Sequence, residues 1–564
     1  MRWLFPSVNF EAAKQLGAAL ALPPKIAQIL FQRGFGDSAS VARFLQPELS
    51  DFHDPFLMAG MAAAVARLRQ AVEAREKILI YGDYDVDGTC AVVVLRTALG
   101  SLGADVSVHI PHRITDGYGM RAGVIEQAAT EGCRVVVSVD TGIREHEALR
   151  RARDLGLDCI VTDHHLPGPD LPPAYAILDP RRPDCAYPDK NLSGAGVALK
   201  LAQGLLGEKF SAPLLRSYLK VVAIGTIADV VPLVGENRVI VRHGLGALKE
   251  PSQPGLTALL RVADLDPARG ITTGQVAFRI APRLNAAGRM QDAGDVIELL
   301  TTPDAKTAAR LAERLDLLNR QRQSVQDEIL DDIVARVESA PALLAGRYSL
   351  VFAAEGWHRG VIGIVAQKVA ERYYRPTLVI GLENGSAHGS GRSIPGFHLL
   401  DALTEAGGLF ERYGGHAQAA GFSLPADRVA ELERLFEESS RRRLRPEDLE
   451  PVLSVDAEVG LAELDAAFLQ SLAKFEPYGV GNPKPVVAAR GLRVVDGPRF
   501  LKEKHLKLRV SADGRALDAL GWNWAGRLPE VRRNDTLYMA FQLDEDHFQG
   551  ASSWRLTIKD LRVV

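Results

Sequence analysis

Residues 81–91 read YGDYDVDGTCA, which sets Asp83, Asp85 and Asp87 on alternate positions and closes them with Gly88. Like charges this close raise one another's pKa and destabilise the chain unless a cation or solvent lies between them. The run EKILI before them is short, apolar and rich in β-branched residues, and TCAVVVLRTALGSLG after them repeats apolar residues at helical spacing. The acids therefore stand where a buried strand hands over to a helix, the place at which α/β proteins keep ligands. Two simpler accounts compete. A solvated turn crowds acids in the same way, and D-x-D-x-D-G also opens a calcium loop. That loop needs a bidentate Glu at its twelfth position, and counted from Asp83 this is Val94.

Three further segments carry carboxylates or imidazoles at the ends of apolar runs: VVVSVDTG ends on Asp140, CIVTDHH on Asp163, His164 and His165, and AIGTIADVVPL holds Asp229. At the C-terminal ends of neighbouring parallel strands such groups would point into one crevice. Taken singly, Asp140 serves equally well as a cap of the following helix, and His165 as a satisfied structural histidine. Asp229 lies in an apolar stretch, so burial would oblige it to find a cation or several donors. Together they form an oxygen and nitrogen donor set without thiolates, which suits Mn2+ or Mg2+ better than structural zinc. Two such ions about 4 Å apart bind a phosphoryl group and activate water, so the reaction class is phosphoester or phosphoanhydride hydrolysis.

The elements that must position these residues follow from the patterning. The chain has 564 residues, 47% hydrophobic and 24% charged, with a formal net charge of −3. Its length divides into three or four domains, and no global basic field advertises a nucleic-acid partner. Cys90, Cys133, Cys159 and Cys185 include no C-x-x-C pair, which excludes a zinc knuckle and a disulfide framework and fits reduced cytosol. The start lacks an apolar leader segment, and VVAIGTIADVVPLV is too short to span a bilayer, so a soluble, cytoplasmic protein without a membrane partner is expected. After an N-terminal helical segment (1–55), residues 56–300 form a first domain, in which strands and helices alternate from about 76 to 180 and a parallel sheet is covered on both faces. Over 301–340 apolar residues recur at three- and four-residue spacing, with Thr302 as N-cap and Pro303 opening the helix. A helix of about 35 residues is some 50 Å long, which reads as a strut between domains, a long helix packed on one domain being the alternative. Residues 341–440 repeat the α/β pattern. The tail, 450–564, carries the short strands KPVVAARGLRVV, HLKLRVSAD, TLYMAFQLD and WRLTIKDLRVV, as in a small barrel of the oligonucleotide-binding (OB) type. There is no repeat and no low-complexity segment.

In this order DYDVDGT, VDTG, TDHH and GTIADVVPL resemble the motifs of the DHH phosphoesterase superfamily. RIAPRLNAAGRM (279–290), GWHRGVIGIVA (356–366), GSGRSIPGFHL (389–399), RYGGHAQAAGFS (412–423) and FEPYGVGNP (475–483) extend the resemblance over almost the full chain to the RecJ family of bacterial exonucleases specific for single-stranded DNA. The resemblance implies a parallel-sheet DHH domain, a long connecting helix, a DHH-associated α/β domain and an OB barrel. It also implies a 5′ to 3′ exonuclease of recombination and repair that releases mononucleotides with two Mn2+ or Mg2+ ions. Carried over by motif, Asp85, Asp87, Asp140, His164 and Asp229 are metal ligands, Asp83 is a ligand or near neighbour, Asp140, His164 and His165 are catalytic, and His165 supports the site or touches a phosphate.

The remaining motifs have a physical reading beside this one. In HGSGRSIPG, Gly389 and Gly391 let the backbone approach an anion while His388, Ser390 and Arg392 offer polar groups, a composition suited to a phosphate clamp. With Arg113 of PHRITDGYG it would hold the 5′ end, although a Gly-rich turn with a surface Arg has the same composition. His416 of GGHAQAAG and Arg283, Asn285 and Arg289 of RLNAAGRM would line the strand's path, or else fill a domain interface. SGAGVALK (193–200) would offer helix-start amides to an anion, or serve close helix packing. In the barrel, Phe500, Trp522, Trp524, Tyr538, Phe541, Phe548 and Trp554 are interleaved with Arg and Lys, as single-strand stacking requires. A small barrel needs most of them for its core, so two or three at most would touch DNA. A cleft held narrow by the strut would admit a single strand and reject a duplex.

Three rivals remain: a hydrolase of very short oligonucleotides or cyclic dinucleotides, a pyrophosphatase, and a scaffold that has lost catalysis. The first two need no barrel, and the third would have lost some of the acids or the His pair. A monomer is expected. The chain ends on a barrel strand without a further domain to recruit a helicase or single-strand-binding protein, so those two partners stand on the resemblance alone.

Overall fold

In the computed structural model, residues 1–113, 116–117, 119–524, 531–546 and 553–564 are described. They form two compact units, Phe52–Glu450 and the combination of Met1–Asp51 with Pro451–Val564.

The larger unit begins with five parallel strands, Lys77–Tyr81 (β1), Val106–His109 (β2), Cys133–Val139 (β3), Asp158–Thr162 (β4) and Ala176–Leu178 (β5), in the order β2-β1-β3-β4-β5. β1, β3 and β4 are almost wholly buried, which is why their sequences run apolar without alternation. The helix Val86–Ser101 (α1) follows β1 and packs against Gly194–Leu206 (α2) and Ala212–Ala228 (α3). All three are buried on nearly every side, so their sequences carry little amphipathic contrast.

Ala305–Ser339 (α5) is the long helix that joins this domain to the next. It is preceded by Ala281–Met290 (α4), which packs along it. The cap differs from the sequence expectation. Asp304 is the N-cap and its carboxylate accepts from Thr307 N, while Thr302 Oγ1 accepts from Asp304 N. Asp is as good a cap as Thr, and the helix opens two residues later than Pro303 indicated. Ala308, Leu311, Leu315 and Leu318 bury the first half of α5, whereas Ile329, Ile333 and Val337 belong to the core of the second domain with Leu350, Phe352 and Val365. Between the two apolar stretches lie the buried polar residues Asn319, Arg322 and Gln326.

The second domain has a five-stranded sheet built from Leu350–Glu355 (β6), Thr377–Glu383 (β7), Ser386–Arg392 (β8), Arg412–Gly415 (β9) and Ala419–Pro425 (β10), in the order β9-β10-β8-β7-β6. β6 and β7 are parallel, joined through the helix Ile362–Tyr373 (α6), and the other pairs are antiparallel. On β8 exposure alternates, so His388, Ser390 and Arg392 share one face while Gly389 and Gly391 face the core. A side chain at either glycine would collide with Phe422 or with Leu378 and Leu399.

In the smaller unit, Val487–Leu501 (β11), His505–Ala512 (β12), Arg515–Gly521 (β13), Thr536–Asp546 (β14) and Ser553–Val563 (β15) close a barrel in the order β11-β12-β13-β15-β14-β11. β13 escapes sequence reading because RALDALG has no β-branched residue and no strand alternation. The N-terminal helices Phe10–Leu20, Pro24–Gln32 and Ser38–Leu45 share a hydrophobic core with the barrel, through Ile26, Ile29, Leu30 and Phe44 against Phe468, Phe475 and Val487. Trp524 and Phe541 are buried in the barrel core, and Tyr538 is buried in a separate cluster against Trp3, Val455 and Val486, so none of the three is a stacking surface. Trp554 is half-buried against that core, and Phe500 and Trp522 stand 52% and 49% exposed. Phe548 lies outside the described residues.

Candidate metal centre and phosphate cleft

Each acid sits at the end of a structural element. Asp83 follows β1 by two residues, Asp85 is the N-cap of α1 with its Oδ1 accepting from Gly88 N at 3.0 Å, and Asp87 lies in the first turn. Gly88 is obligatory here, because a Cβ would stand 2.8 Å from the Asp83 backbone carbonyl oxygen. Asp140 follows β3 directly and adopts φ +60°, with its amide bonded to Thr162 O. It caps no helix: the next one, His146–Asp154, has Glu145 as its N-cap. A non-glycine residue in the left-handed region costs conformational energy, and such residues collect at functional sites. Asp229 is the C-cap of α3; its side chain is 21% exposed overall, but its Oδ2 is buried.

These ends converge on His164. Its Nε2 lies 3.1 Å from Asp140 Oδ1, 3.6 Å from Asp229 Oδ2 and 4.0 Å from Asp87 Oδ2. Three overlapping groups, Asp83/Asp85/Asp140, Asp87/His164/Asp229 and Asp140/His164/His165, each bring their ligand atoms within 4.8 Å of one another. Asp83 Oδ1, Asp140 Oδ1 and Asp229 Oδ2 are buried and accept no hydrogen bond from any described residue. Burial, followed by neighbouring carboxylates, pushes Asp83 up to about 8 and Asp87 up to about 7, and holds Asp140 and Asp229 well above the ordinary carboxyl range. Burial and the charge of His165 depress His164 to about 3, so it is a neutral donor. Without a cation these carboxylates cannot all be ionised at neutral pH, and the donor set, oxygen-rich with one imidazole, fits Mn2+ or Mg2+.

Asp163 anchors the histidine pair, a role its place in TDHH hinted at without defining. Its Oδ2 accepts from Ile143 N at 2.9 Å, and its Oδ1 from His164 N and His165 N while pairing with His165 Nδ1 at 2.7 Å. Burial would raise its pKa, but the His165 hydrogen bond and charge win and hold it at about 2. The same partner raises His165 against the lowering effect of burial. The His165 side chain is 43% exposed, with Nδ1 committed to Asp163, which orients the ring from behind.

A pocket of about 260 Å³ opens onto these acids, with Asp83, Asp85, Asp87 and Asp229 among its lining and Arg113, Asn285 and Arg289 also on its wall. The Arg113 guanidinium lies over the Tyr84 ring at 4.8 Å, and Tyr84, whose position between Asp83 and Asp85 gives no sign of a role, lines the pocket too. Arg289 donates to Gly360 O across the domain boundary at 3.1 Å. Burial, then the charges of Arg113, Arg322 and Arg392, lower Arg289 to about 9. Arg392 is lowered by burial and by Arg113, and it donates to Ser390 Oγ at 3.0 Å. The first turn of α6 abuts both, since a Cβ on Gly363 would meet Ser390 Oγ at 3.0 Å and Arg392 Nη2 at 3.2 Å. No carboxylate among the described residues pairs with these four arginines.

Not every expected residue joins the cleft. Arg283 is spent on structure: Nε pairs with Asp316 on α5 at 2.9 Å, and the other nitrogens donate to Arg279 O and Val262 O. The amides at the start of α2 are also taken, by Asp87. His388 contacts Arg359, and His416 Nδ1 accepts from Gln418 N. Burial lowers both histidines, aided by Arg359 for His388 and by Arg392 for His416.

A parallel sheet whose strand ends gather carboxylates and a histidine, with a second domain supplying cations, defines the DHH class. The sequence profile of the DHH family, N-terminal domain, matches residues 77–226, that of the DHHA1 domain 346–441, and that of the RecJ OB domain 455–560. The single-stranded-DNA-specific exonuclease RecJ of Bacillus subtilis is 37% identical over 100% of this chain and 71% of its own length, and that of Dickeya dadantii 36% over 96% of each. The crystal structure of RecJ with Mn2+ from Thermus thermophilus superposes with a TM-score of 0.84 at 30% identity, covering 100% of this chain and 79% of that one. The chain belongs to the RecJ family.

Proposed function

We propose that this protein is a metal-dependent exonuclease that degrades single-stranded DNA from its 5′ end to mononucleotides, in DNA recombination and repair. The observation that carries the reading is the pairing of buried carboxylate oxygens around His164 with arginines on the same pocket, neither group having an ion-pair or hydrogen-bond partner of opposite charge among the described residues. It is supported by relatives of that printed activity and by family structures solved with Mn2+ and Mg2+. Asp83, Asp85 and Asp140 would hold one divalent cation, and Asp87, His164 and Asp229 a second. Bound there, the two ions supply Lewis-acid stabilisation of the phosphoryl group and lower the pKa of water. His165, oriented by Asp163 through Nδ1, is set to present Nε2 to a phosphate oxygen. Arg289 and Asn285 orient the scissile phosphate, and Arg113, Ser390 and Arg392 grip the terminal one, where a guanidinium adds bidentate geometry. His388 and His416 line the approach. Phe500 and Trp522 form the stacking surface of the barrel.

The polarity and the mononucleotide product follow from the family resemblance. So do a helicase and a single-strand-binding protein as partners, while a cytoplasmic location rests on the spaced, unpaired cysteines and a monomeric state is part of the same reading. Among the described residues no helix is long and apolar enough to cross a membrane. The preference for single strands is steric in this reading, and a blunt duplex degraded as fast as the same strand unpaired would sink that part. The main test uses an oligonucleotide labelled at one end or the other, with Mn2+, comparing wild type with Asp140→Ala. Mononucleotides released first from the 5′ label, and lost in the variant, are expected. Cleavage of two- to five-nucleotide strands alone would favour the short-oligonucleotide rival, and no cleavage at all the scaffold.

A further inference from the structure

Two of the candidate metal ligands are packed against a residue without a side chain. Gly194 N donates to Asp87 Oδ2 at 2.6 Å, and Ala195 N donates to Asp87 Oδ1 at 3.1 Å. On its other side, a Cβ at Gly194 would stand 2.5 Å from Asp140 Oδ1 and 2.7 Å from Asp140 Cβ and Cγ. The first turn of α2 therefore touches both carboxylates, one through its amides and one through the space that glycine leaves. Neither acid can step aside easily. Asp140 is held at φ +60° with its amide bonded to Thr162 O, and Asp87 is walled on its far side by Gly225, where a Cβ would lie 2.8 Å from Oδ1.

The helix start is itself fixed. Ser193 is its N-cap, with Oγ accepting from Gly196 N at 3.1 Å and bonded to Thr226 Oγ1 at 3.0 Å. Thr226 lies in α3, three residues before Asp229. A single buried hydroxyl pair thus ties the amides that hold Asp87 to the helix that ends on Asp229. Two amide bonds to Asp87 leave further lone pairs on each oxygen for a cation, so the cradle orients the ligand without consuming it.

We propose that Gly194, supported by Ser193, is the positioning residue that fixes the separation of Asp87 and Asp140, and with it the spacing of the two cations. This inference rests on the two-cation reading above. Small residues at a helix start serve plain helix packing equally well, and the two roles are separable. Gly196 lies in the same turn, but a Cβ there would meet only the Leu192 side chain at 3.2 Å and the Ser193 side chain at 3.5 Å. It is the packing control.

The experiment titrates Mn2+ into chelator-treated wild type, Gly194→Ala, Ser193→Ala and Gly196→Ala. Calorimetry reads affinity and stoichiometry, and electron paramagnetic resonance reads the coupling between paired ions. Circular dichroism checks the fold. Wild type and Gly196→Ala are expected to hold two coupled ions. Gly194→Ala is expected to retain its helicity but to lose the coupling or bind the second ion at least about tenfold more weakly, the scale seen when a ligand's supporting partner is removed. Ser193→Ala, which adds no bulk and keeps the question answerable should Gly194→Ala fail to fold, is expected to weaken Mn2+ binding severalfold. Two coupled ions at wild-type affinity in the folded variants would overturn the inference while leaving the two-cation reading intact. Fewer than two ions in wild type would overturn both.

Discussion

At the scale of single residues the site is governed by desolvation. Asp83 and Asp87 are pushed to about 8 and 7 by burial and by Asp85, against an ordinary carboxyl value near 4. A carboxyl whose folded pKa is raised contributes stability that is complete below its unfolded pKa and is lost as pH rises through the folded one. In the cation-free protein, stability therefore declines between about pH 4 and pH 8, and a bound cation replaces the missing protons. The rise in melting temperature produced by Mn2+ over chelator is expected to be larger at pH 8 than at pH 6, and equal shifts at the two values would contradict the assignment. Asp163 offers a second check. Asp163→Asn removes the charge behind His165 but keeps a side chain of the same shape, so kcat at saturating Mn2+ is expected to fall roughly 10–100-fold with KM for DNA nearly unchanged. A normal kcat would demote the Asp163–His165 pair to structure.

At the scale of elements, α5 does the work that the alternation of strands and helices could not reveal. Its two apolar stretches belong to different domains, and its flank receives Arg283 from α4 through Asp316. The motif RLNAAGRM thus divides by helix face: Asn285 and Arg289 reach the pocket while Arg283 locks the helix to the strut. Arg283→Met is expected to lower stability by about 1–3 kcal/mol, because the buried Asp316 carboxylate loses one of its two arginine partners and keeps only Arg320, while KM for single-stranded DNA stays within twofold of wild type. A large rise in KM at unchanged melting temperature would return Arg283 to the substrate path. The same division by face explains β8, whose alternation places Ser390 and Arg392 together and leaves the glycines to the core.

At the scale of the whole molecule, the proposed reading puts base stacking in the barrel unit, and the metal ligands together with the phosphate-gripping residues in the larger unit. The exposed Phe500 and Trp522 lie in the barrel unit, and stacking is worth about 1–3 kcal/mol per base. Phe500→Ala combined with Trp522→Ala is expected to weaken the binding of a long strand by about tenfold or more, and to leave kcat on that strand at saturation unchanged. Equal affinity would mean that other surfaces of the barrel carry the strand. The N-terminal helices belong to the same unit as the barrel through a shared core, so they are expected to unfold with it in a single transition, which proteolysis coupled to calorimetry can follow.

Taken alone, the sequence determines the chemistry of this protein to a considerable depth. Strand-ending acids, a histidine pair and the absence of thiolates select a hard divalent cation, and apolar runs fully buried in a parallel sheet are recognisable because their pattern is local. The long helix is legible for the same reason, its cap excepted. What depends on contacts distant in sequence was decided by the tertiary structure. Asp87 reaches the start of α2 more than one hundred residues away, and three carboxylates meet at His164. Arg283 turns from the substrate to Asp316, β13 is recruited into the barrel despite its composition, and residues 1–51 join residues 451–564. The physical reason is common to all of them. Residue type and spacing report what a side chain can do, whereas burial and the partner that satisfies it are set by which elements the fold brings together.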